Sequence, residues 1–487
     1  MIALKDILYK VTINAVTGST SVGITAIDFD SRNIKSGYVF VAIKGSVSDG
    51  HKFIDVAIKQ GAIAVVCEAL PEVLIDGVTY IEVDNTSKAL AVMASNYYEK
   101  PSENLKLVGV TGTNGKTTVA SLLYQLFKKA GYKVGLLSTV KIMVNNTEYK
   151  ATHTTPDSLT INKYLQAMNT EGVEFCFMEV SSHGIHQSRT EGLHFEGGIF
   201  TNLTHDHLDY HNTFSEYRDV KKSFFDALPE NAFALVNTDD KNGLVMLQNT
   251  KARKYTYALK SYADYKSQIL ENQLGGLLLK INDAEVWTRL IGNFNAYNIL
   301  AIYATAELLG LEKVETLRLI SELESVSGRF QYVISNEKIT AIVDYAHTPD
   351  ALKNVLETIN SIRTKNEELI TVVGCGGDRD RTKRPKMGHI ATALSSKVIF
   401  TSDNPRSEEP EAILKDIEKG VEPQNYKKAL TITDRLQAIK TACQMAQPND
   451  IILIAGKGHE TYQEIKGERF DFDDFKIVQE YLNQLKK

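Results

Sequence analysis

The sequence contains little cysteine and no long apolar segment. The four cysteines lie far apart without a C-x-x-C pair, so we expect buried thiols in a reducing compartment rather than a disulfide framework. No stretch approaches the ~20 apolar residues needed to cross a bilayer, and the first ten residues lack the apolar centre of a signal peptide. We therefore expect a cytoplasmic protein that does not insert into membranes.

An excess of positive charge is also missing, because the formal net charge is -5 at pH 7. A nucleic-acid backbone requires clustered lysine and arginine, so this balance argues against a nucleic-acid partner and leaves only a local basic site for a small anion. With 487 residues, of which 43% are hydrophobic, the chain is long enough for ~3 domains with separate cores.

Two segments mark predicted domain boundaries. Residues 99–104 are polar, contain Pro101 and are typical of a linker. Residues 325–330 form a second candidate boundary, so we predict domains at 1–103, 104–329 and 330–487. Both later domains repeat apolar strands that end in polar residues. This pattern indicates doubly wound α/β folds, in which ligands bind beyond the carboxyl ends of parallel strands.

A glycine-rich turn at residues 111–118, T-G-T-N-G-K-T-T, joins a buried strand to a helix with one apolar face. Backbone N–H groups and the helix N-terminus bind phosphate in such a turn. Lys116 would reach the β- and γ-phosphates of a nucleotide, and the Thr117 hydroxyl would ligate Mg²⁺. The strict P-loop pattern requires glycine where Val110 stands, so a plain glycine-rich turn remains the alternative.

Carboxylates and histidines follow two further predicted strands. Glu179 ends the strand at 174–179, and residues 205–211 contain three histidines and two aspartates. Carboxylate oxygens near a phosphate loop suit Mg²⁺, whereas the histidine spacing alone could suit Zn²⁺. A purely structural cluster is the third possibility.

Lys221 lies in the middle of an apolar helical face formed by residues 217, 220, 224, 225 and 228, and Lys222 is predicted to point away from it. An inward-facing lysine is costly unless it is paired or neutralised. Snorkelling of the side chain toward solvent is the common explanation, and a functional site is the alternative.

Three C-terminal loops carry charged residues after apolar strands, at 374–381, 402–406 and 456–460. Arginines grip carboxylates and acidic groups hold ammonium, so loops that meet at strand ends could bind a zwitterionic amino acid. A set of unrelated surface charges is the alternative.

Together these motifs resemble the Mur ligase family and its folylpolyglutamate synthetase relatives. Residues 111–118 resemble the family's shortened ATP loop, and E-V-S-S at 179–182 and N-x-x-x-D-H at 202–207 resemble two more of its motifs. The tetrapeptide D-N-P-R at 403–406 is similar to that of members that add meso-diaminopimelate, whereas lysine-adding members differ at the arginine. The matching motifs run from position 30 to position 460 in family order.

The resemblance implies three α/β domains: an N-terminal UDP-substrate domain, a central P-loop ATPase domain with a mainly parallel sheet, and a C-terminal Rossmann-like amino-acid domain. The implied ATP contacts are Gly112, Thr113, Asn114, Gly115, Lys116, Thr117, Thr118, Asn295, Asn298, Arg329 and Asp344. The implied Mg²⁺ ligands are Thr117, Glu179, His207 and a carbamylated Lys221, and Lys116 would act with the last three in catalysis. The implied UDP-substrate contacts are Ser31, Thr154, Thr155, Ser181, Gln187 and Arg189. The implied amino-acid contacts are Arg379, Asp403, Asn404, Pro405, Arg406, Gly456 and Glu460.

The resemblance further implies a monomeric, ADP-forming ligase of peptidoglycan synthesis. It would use ATP and Mg²⁺ to join meso-diaminopimelate to UDP-N-acetylmuramoyl-L-alanyl-D-glutamate through an acyl phosphate. A lysine-adding Mur ligase and a folylpolyglutamate synthetase are the enzymatic alternatives. A non-catalytic nucleotide-binding regulator is the alternative of another class, and the set of Lys116, Glu179 and His207 argues against it.

Overall fold

The computed structural model describes residues 1–45, 48–204, 210–211, 213–485 and 487. In that part of the chain, three large β-sheets follow one another along the sequence, each covered by helices. The prediction of an α/β fold with mainly parallel sheets is therefore confirmed. None of the described helices is both long and apolar enough to span a membrane.

The N-terminal sheet has the strand order β2-β7-β6-β5-β4, in which only the β2 edge is antiparallel. The elements of this domain are β1 Ile2–Ala3, α1 Leu4–Ile7, β2 Ala15–Thr17, β3 Gly23–Ile24, β4 Ala26–Asp28, β5 Tyr38–Val41, α2 Ile54–Lys59, β6 Ala62–Cys67, β7 Thr79–Glu82 and α3 Thr86–Tyr97. Strands β1 and β3 pair with each other in a separate two-stranded sheet.

The central sheet has the order β11-β10-β9-β12-β8-β13-β14-β15-β16-β17-β18 and is parallel from β9 to β16. Its elements are β8 Lys106–Thr111, α4 Lys116–Lys129, β9 Val134–Leu137, β10 Ile142–Val144, β11 Thr147–Tyr149, α5 Ser158–Thr170, β12 Phe175–Glu179, α6 Ser182–His186, β13 Gly197–Phe200, α7 Phe214–Asp226, β14 Phe233–Asn237, α8 Gly243–Met246, β15 Arg253–Ala258, β16 Tyr265–Gln273, β17 Gly276–Ile281, β18 Ala284–Thr288, α9 Asn293–Leu308 and α10 Lys313–Ser321.

The C-terminal sheet has the order β19-β20-β24-β21-β22-β23, and only the β19 edge is antiparallel. Its elements are β19 Gln331–Ile334, β20 Thr340–Asp344, α11 Pro349–Ile362, β21 Leu369–Val373, α12 Lys383–Leu394, β22 Lys397–Phe400, α13 Pro410–Glu418, β23 Ala429–Thr431, α14 Arg435–Met445, β24 Ile451–Ala455 and α15 Asp474–Gln484, with a separate hairpin of β25 Tyr462–Ile465 and β26 Glu468–Asp471.

Alternate residues of the same strand feed two cores, one on each face of a sheet. On β8, Leu107 and Val108 join different clusters, because successive side chains of a strand point to opposite faces. Each large sheet draws its described strands from one of the ranges 1–103, 104–329 and 330–487. We propose these ranges as the domain bounds.

The segment predicted as a linker is packed rather than solvated. Pro101 and Ser102 are buried in a short 3-10 turn, and the Pro101 carbonyl accepts a hydrogen bond from Asn169 Nδ2 at 3.0 Å. Ser102 Oγ accepts from the backbone N–H of His194 at 2.9 Å. The junction between the first two domains is therefore held by specific contacts.

Candidate active site

The phosphate loop connects β8 to α4 through two glycines with left-handed or otherwise restricted backbone angles. Gly112 has φ +148°, and a Cβ there would lie 2.0 Å from Thr201 Oγ1. Gly115 has φ +90° and precedes α4, and its Cβ would lie 2.8 Å from Asn298 Oδ1. Both positions therefore exclude any side chain, because Thr201 and Asn298 pack directly against the backbone of the loop.

The residues after β13 hold this loop in shape. The N–H of Thr113 donates to the Asn202 carbonyl at 2.8 Å, and the N–H of Asn114 donates to Asn202 Oδ1 at 3.0 Å. Thr201 Oγ1 donates to the Asn114 carbonyl at 2.6 Å. Thr201 and Asn202 were not predicted individually as site residues. Their position directly after an apolar strand is the signal that could have identified them.

Lys116, Thr117 and Glu179 converge at the start of α4. Lys116 Nζ donates to the carbonyls of Gly112 and Thr113, at 2.9 Å each. Thr117 Oγ1 donates to Glu179 Oε2 at 2.9 Å, and Glu179 is 0% exposed. The predicted pair of Thr117 and Glu179 thus shares one buried site with the phosphate loop.

Lys221 lies under the same loop. It is 1% exposed, and its Nζ donates to the Gly112 carbonyl at 3.0 Å and contacts Thr111 Oγ1 at 3.4 Å. Its ammonium also lies 4.9 Å from the centre of the Tyr217 ring. The buried helical face predicted for Lys221 is present, and the side chain does not snorkel to solvent.

Lys222 was predicted only to point away from the apolar face, and its side chain is also largely buried, with 9% exposure. Its Nζ pairs with both carboxylate oxygens of Asp226, at 2.8 and 2.7 Å, one helical turn away. The carboxylate at i+4 offsets the charge of Lys222 and allows its side chain to be buried. The apolar pattern alone did not reveal this ion pair.

Four of the residues predicted to contact the UDP substrate form one network beside Glu179. Thr155 Oγ1 donates to the Glu179 carbonyl at 2.8 Å and accepts from the Ser181 N–H at 3.0 Å. Arg189 Nη1 donates to the Thr155 carbonyl, and its other nitrogens donate to Gln187 Oε1 at 2.6 and 3.1 Å. Burial lowers the pKa of Arg189.

Thr139 connects Thr154 to this network and was missed in the sequence. Its N–H donates to Glu179 Oε1 at 2.7 Å, and its Oγ1 donates to Thr154 Oγ1 at 3.0 Å. Glu179 therefore contacts the phosphate loop with one oxygen and the Thr139 segment with the other.

Two predicted site residues lie elsewhere. Ser31 begins a 3-10 turn, Ser31–Asn33, after β4 of the N-terminal sheet, and no hydrogen bond between described residues joins it to Thr155 or its neighbours. His207 falls outside the described residues, as do the flanking positions 205, 206, 208 and 209.

The predicted ATP contacts on α9 and near β20 approach the loop from the other side. Asn298 Nδ2 donates to Asn295 Oδ1 at 3.0 Å, and both asparagines are buried. Arg329 Nη2 donates to Thr117 Oγ1 at 3.2 Å. Asp344 Oδ2 accepts from the Phe330 N–H at 2.7 Å, and burial raises the pKa of Asp344 to about 6 although Arg329 opposes the shift.

The C-terminal loops bring Asn404 and Glu460 together around a lysine that the sequence did not single out. Lys457 is 0% exposed, and its Nζ donates to Asn404 Oδ1 at 3.1 Å and to Glu460 Oε2 at 3.2 Å. Asn404 Nδ2 donates to Glu460 Oε2 at 2.8 Å. A Cβ on Gly456 would lie 2.5 Å from Asp403 Oδ2, so this glycine lets the two loops touch.

The two arginines predicted to bind the amino acid differ in their surroundings. Arg406 is partly buried, has φ +50°, and donates from Nη1 to the Gly377 carbonyl at 2.7 Å. Pro405 precedes it and is buried. Arg379 is exposed and forms no hydrogen bond with another described residue.

A stack of side chains connects the phosphate loop with the amino-acid loops. The Arg329 guanidinium lies 4.8 Å from the centre of the Tyr345 ring, which lies 5.0 Å from the ring of His459. Burial lowers the pKa of His459 to about 3, with Arg329 and Lys457 adding to the effect, so the imidazole is neutral. The two predicted binding regions are thus joined at the boundary of the second and third domains.

The comparisons with known proteins agree along the whole chain. The profile of the Mur ligase middle domain matches residues 110–306, that of the Mur ligase, glutamate ligase domain matches 328–458, and that of the Mur ligase family, catalytic domain matches 23–98. A UDP-N-acetylmuramoyl-L-alanyl-D-glutamate–2,6-diaminopimelate ligase of Cytophaga hutchinsonii is 56% identical over 485 residues, covering 99% of this chain and 100% of the relative. This chain belongs to the Mur ligase family.

Solved structures of Mur ligases share the fold. A UDP-N-acetylmuramoyl-L-alanyl-D-glutamate–2,6-diaminopimelate ligase has a TM-score of 0.71 at 31% identity, with 100% of this chain and 99% of the other covered. The MurF ligase of Thermotoga maritima in complex with ADP has a TM-score of 0.61 at 19% identity, with 95% and 97% covered, which is a likeness of fold alone. The sequence-based assignment to the Mur ligases is confirmed.

Proposed function

We propose that this chain joins meso-2,6-diaminopimelate to the D-glutamyl carboxylate of UDP-N-acetylmuramoyl-L-alanyl-D-glutamate, with conversion of ATP to ADP and phosphate, in the synthesis of peptidoglycan. The observation that carries the proposal is the D-N-P-R loop at 403–406, which contacts the 374–381 and 456–460 loops at the carboxyl ends of the C-terminal strands. Because the four cysteines are free and buried, as is usual in a reducing compartment, we expect the reaction in the cytoplasm.

The reaction proceeds in two balanced steps. A carboxylate oxygen of the acceptor attacks the γ-phosphorus of ATP, and the bond to ADP breaks, which gives an acyl phosphate. The free amine of diaminopimelate then attacks the acyl carbon, loses a proton and displaces phosphate to form the amide. Positioning and electrostatic stabilisation supply most of the catalysis of phosphoryl transfer.

The phosphate loop is suited to the first step. Glycines 112 and 115 keep side chains off the loop, and the N-terminus of α4 adds positive potential. Lys116 already lies along the loop with its ammonium 2.9 Å from two carbonyls, so a change of rotamer would bring it to phosphate oxygens. Arg329 reaches the same point from the C-terminal side through Thr117.

The residues present fit a magnesium ion. Glu179 is fully buried without an ion pair to a described residue, and its Oε2 lies beside the Thr117 hydroxyl. A hard cation prefers such oxygen ligands, and a buried carboxylate gains from a cationic partner. We assign Thr117 and Glu179 as ligands, with His207 and a modified Lys221 as further ligands implied by the family. When bound, Mg²⁺ neutralises charge on the phosphate oxygens.

We further propose that Lys221 is carbamylated. Its neutral amine would attack the carbon of CO₂ and lose a proton, which yields an anionic carbamate. The support is the burial of this lysine under the phosphate loop, because water does not solvate the charge of an ammonium group there. A carbamate N–H could keep the hydrogen bond to the Gly112 carbonyl, and the carbamate would supply negative charge for a metal ion.

The C-terminal loops supply contacts for both ends of diaminopimelate. Arg406 is the candidate for the distal carboxylate, since a guanidinium grips a carboxylate with two parallel hydrogen bonds. Glu460 is the candidate for the neighbouring ammonium, although Lys457 and Asn404 already share its carboxylate. Burial raises the pKa of Glu460, and the nearby Lys457 opposes that shift. Arg379 would hold the end near the reacting amine.

The UDP-linked acceptor is assigned to the cluster beside Glu179 and to the N-terminal domain. Thr155, Ser181, Gln187 and Arg189 form a connected polar surface, to which Thr154 is joined. Ser31 would contact the nucleotide end if the N-terminal domain closes over the substrate.

An amino-acid panel tests the proposal. ADP release is measured with ATP, UDP-N-acetylmuramoyl-L-alanyl-D-glutamate and either meso-diaminopimelate, L-lysine, D-alanyl-D-alanine or L-glutamate. Turnover with meso-diaminopimelate far above that with L-lysine is the expected result. Turnover with tetrahydrofolate and glutamate in place of these substrates would instead identify a folylpolyglutamate synthetase. Absence of any substrate-dependent turnover would favour a nucleotide-binding regulator.

A further inference from the structure

The loops at 374–381 and 402–408 meet at the carboxylate of Glu408. Its Oε1 accepts from the Asp378 N–H at 2.7 Å, and its two oxygens accept from the Arg384 guanidinium at 2.8 and 3.0 Å. Arg381 adds a third cationic contact at 3.0 Å. Arg384 lies on α12 and is 0% exposed. One carboxylate therefore ties the end of the second loop to the first loop and to the helix that follows it.

The contacts of the Glu408 carboxylate lie next to the contact that orients Arg406. The Arg406 guanidinium donates to the carbonyl of Gly377, the residue before Asp378. The Gly377 N–H donates back to the Asn404 carbonyl at 2.9 Å, and a Cβ on Gly377 would lie 1.9 Å from the Pro405 carbonyl oxygen. The direction of the Arg406 side chain thus depends on where the backbone at 377–378 is held.

The backbone of Arg406 also needs support from its surroundings. Its φ of +50° is a left-handed conformation that a residue with a side chain keeps only where neighbouring contacts hold it. The Arg406 N–H donates to the Glu464 carbonyl at 3.0 Å, and the Lys466 N–H donates to the Arg406 carbonyl at 2.7 Å. The hairpin therefore holds the Arg406 backbone on one side, and the loop fastened by Glu408 holds its guanidinium on the other.

We infer that Glu408 is a positioning residue for Arg406 and thereby sets the preference for an amino acid with a carboxylate on its far carbon. This inference rests on the proposed function. The Arg384 guanidinium lowers the pKa of Glu408 to about 2, so the carboxylate keeps its charge throughout the neutral range. With that charge in place, the Arg406 guanidinium keeps its hydrogen bond to the Gly377 carbonyl, and its orientation is set before the amino acid binds.

Asp416 provides a matched control. Its Oδ2 accepts from Arg384 Nη1 at 3.1 Å, so it also pairs with the buried guanidinium. It lies on α13, and its contacts within the described residues are to Arg384 and Lys419 rather than to either loop. Removing its charge weakens the hold on Arg384 without releasing Asp378.

The test compares Glu408→Gln with Asp416→Asn in the full-length enzyme. For Glu408→Gln we expect the KM for meso-diaminopimelate to rise about tenfold or more, and the ratio of kcat/KM for diaminopimelate over L-lysine to fall by a similar factor, as loss of a charge-assisted hydrogen bond predicts. The KM values for ATP and for the UDP-linked acceptor should change less than about twofold, because the residues proposed to bind these two substrates are unchanged. Asp416→Asn should leave the amino-acid preference intact.

Equal effects of the two variants, or an equal rise in the KM for ATP, would show that Glu408 acts only on the fold and would overturn the inference. Ser407→Ala is a second variant that removes an exposed contact between the same loops, Ser407 Oγ to Asp378 Oδ1 at 2.6 Å. Ser407→Ala should also raise the KM for diaminopimelate. If Glu408→Gln fails to fold, an unchanged KM in Ser407→Ala would overturn the inference. If the wild-type enzyme prefers another amino acid, the proposed function fails, and the same variants are compared with that amino acid.

Discussion

Replacing Glu179 by glutamine separates the charge of this side chain from its hydrogen bonds. The amide has the shape of the carboxyl group, so its oxygen can accept from the Thr139 N–H and its NH₂ can donate to Thr117 Oγ1, the contacts now at 2.7 and 2.9 Å. Glu179 is fully buried without an ion pair to a described residue. We therefore expect the free energy of unfolding to stay within ~1 kcal/mol of wild type or to increase.

The expected effect of Glu179→Gln on catalysis is much larger. Without the buried negative charge the proposed Mg²⁺ site would lose its anionic ligand, and we expect kcat to fall at least ~10²-fold, which corresponds to about 2.7 kcal/mol of transition-state stabilisation. Glu179→Ala should lose similar activity. It should also lose ~1–3 kcal/mol of stability, because the Thr139 N–H is left without its acceptor.

The two variants are compared by ADP release with all three substrates and by thermal unfolding of each protein. The reasoning requires a glutamine variant that is stable and nearly inactive, beside an alanine variant that is both unstable and nearly inactive. Near-normal turnover of Glu179→Gln would refute the assignment as a metal ligand. A loss of stability as large as that of the alanine variant would show that the carboxylate serves the fold instead.

Four further predictions follow from the site. Lys116→Ala should lower kcat at least ~10²-fold in the same assay, as loss of one preorganised electrostatic contact does, and near-normal turnover would contradict its assignment. Lys221→Ala should be nearly inactive and partly rescued by acetate or formate, whereas Lys222→Ala should retain turnover; a mass that shows an unmodified Lys221 in enzyme equilibrated with ATP and CO₂ would argue against the carbamate. Arg406→Ala should lower kcat/KM for meso-diaminopimelate by ~10- to 150-fold, the equivalent of a charged hydrogen bond of ~1.5–3 kcal/mol, with little change in the KM for ATP; intact diaminopimelate kinetics would remove Arg406 as the discriminator. Because burial raises the pKa of Asp344 from 3.8 to about 6, the folded protein binds this proton more tightly than the unfolded chain, and the stability it contributes at low pH is lost as the pH rises through 6. Asp344→Asn should therefore flatten the pH dependence of unfolding between about pH 4 and 6, as followed by chemical denaturation, and an unchanged slope would disprove the shift.

Much of the fold was predictable because apolar runs and the turns that follow them are local signals. The strand at 106–111, the glycine turn and the helix at 116–129 lie where the pattern predicted a βαβ unit. The antiparallel extension formed by β16, β17 and β18 was not predicted. These strands pair with their neighbours in sequence, but they carry mixed polar and apolar residues, so apolar runs alone did not indicate them.

The site was predictable in its residue types and less so in its supporting contacts. Lys221 was expected to face inward from helical periodicity, and it does. Thr139, Lys457 and Glu408 were not singled out, because a threonine, a lysine or a glutamate on a loop has no distinctive pattern. Each acquires its importance from a partner that the fold brings to it, at 40, 53 and 24 positions along the chain for Glu179, Asn404 and Arg384.

The sequence by itself determined the class of the protein. Composition, strand–loop–helix order and motif spacing are properties of the chain that can be recognised without knowledge of long-range contacts. Only the tertiary structure decided which charges are paired. It buried Arg384 against Glu408, joined Glu460 to Asn404, and left Arg379 exposed. The physical reason is that burial and ion pairing depend on distances between residues far apart in sequence, and periodicity along one helix or strand cannot encode them.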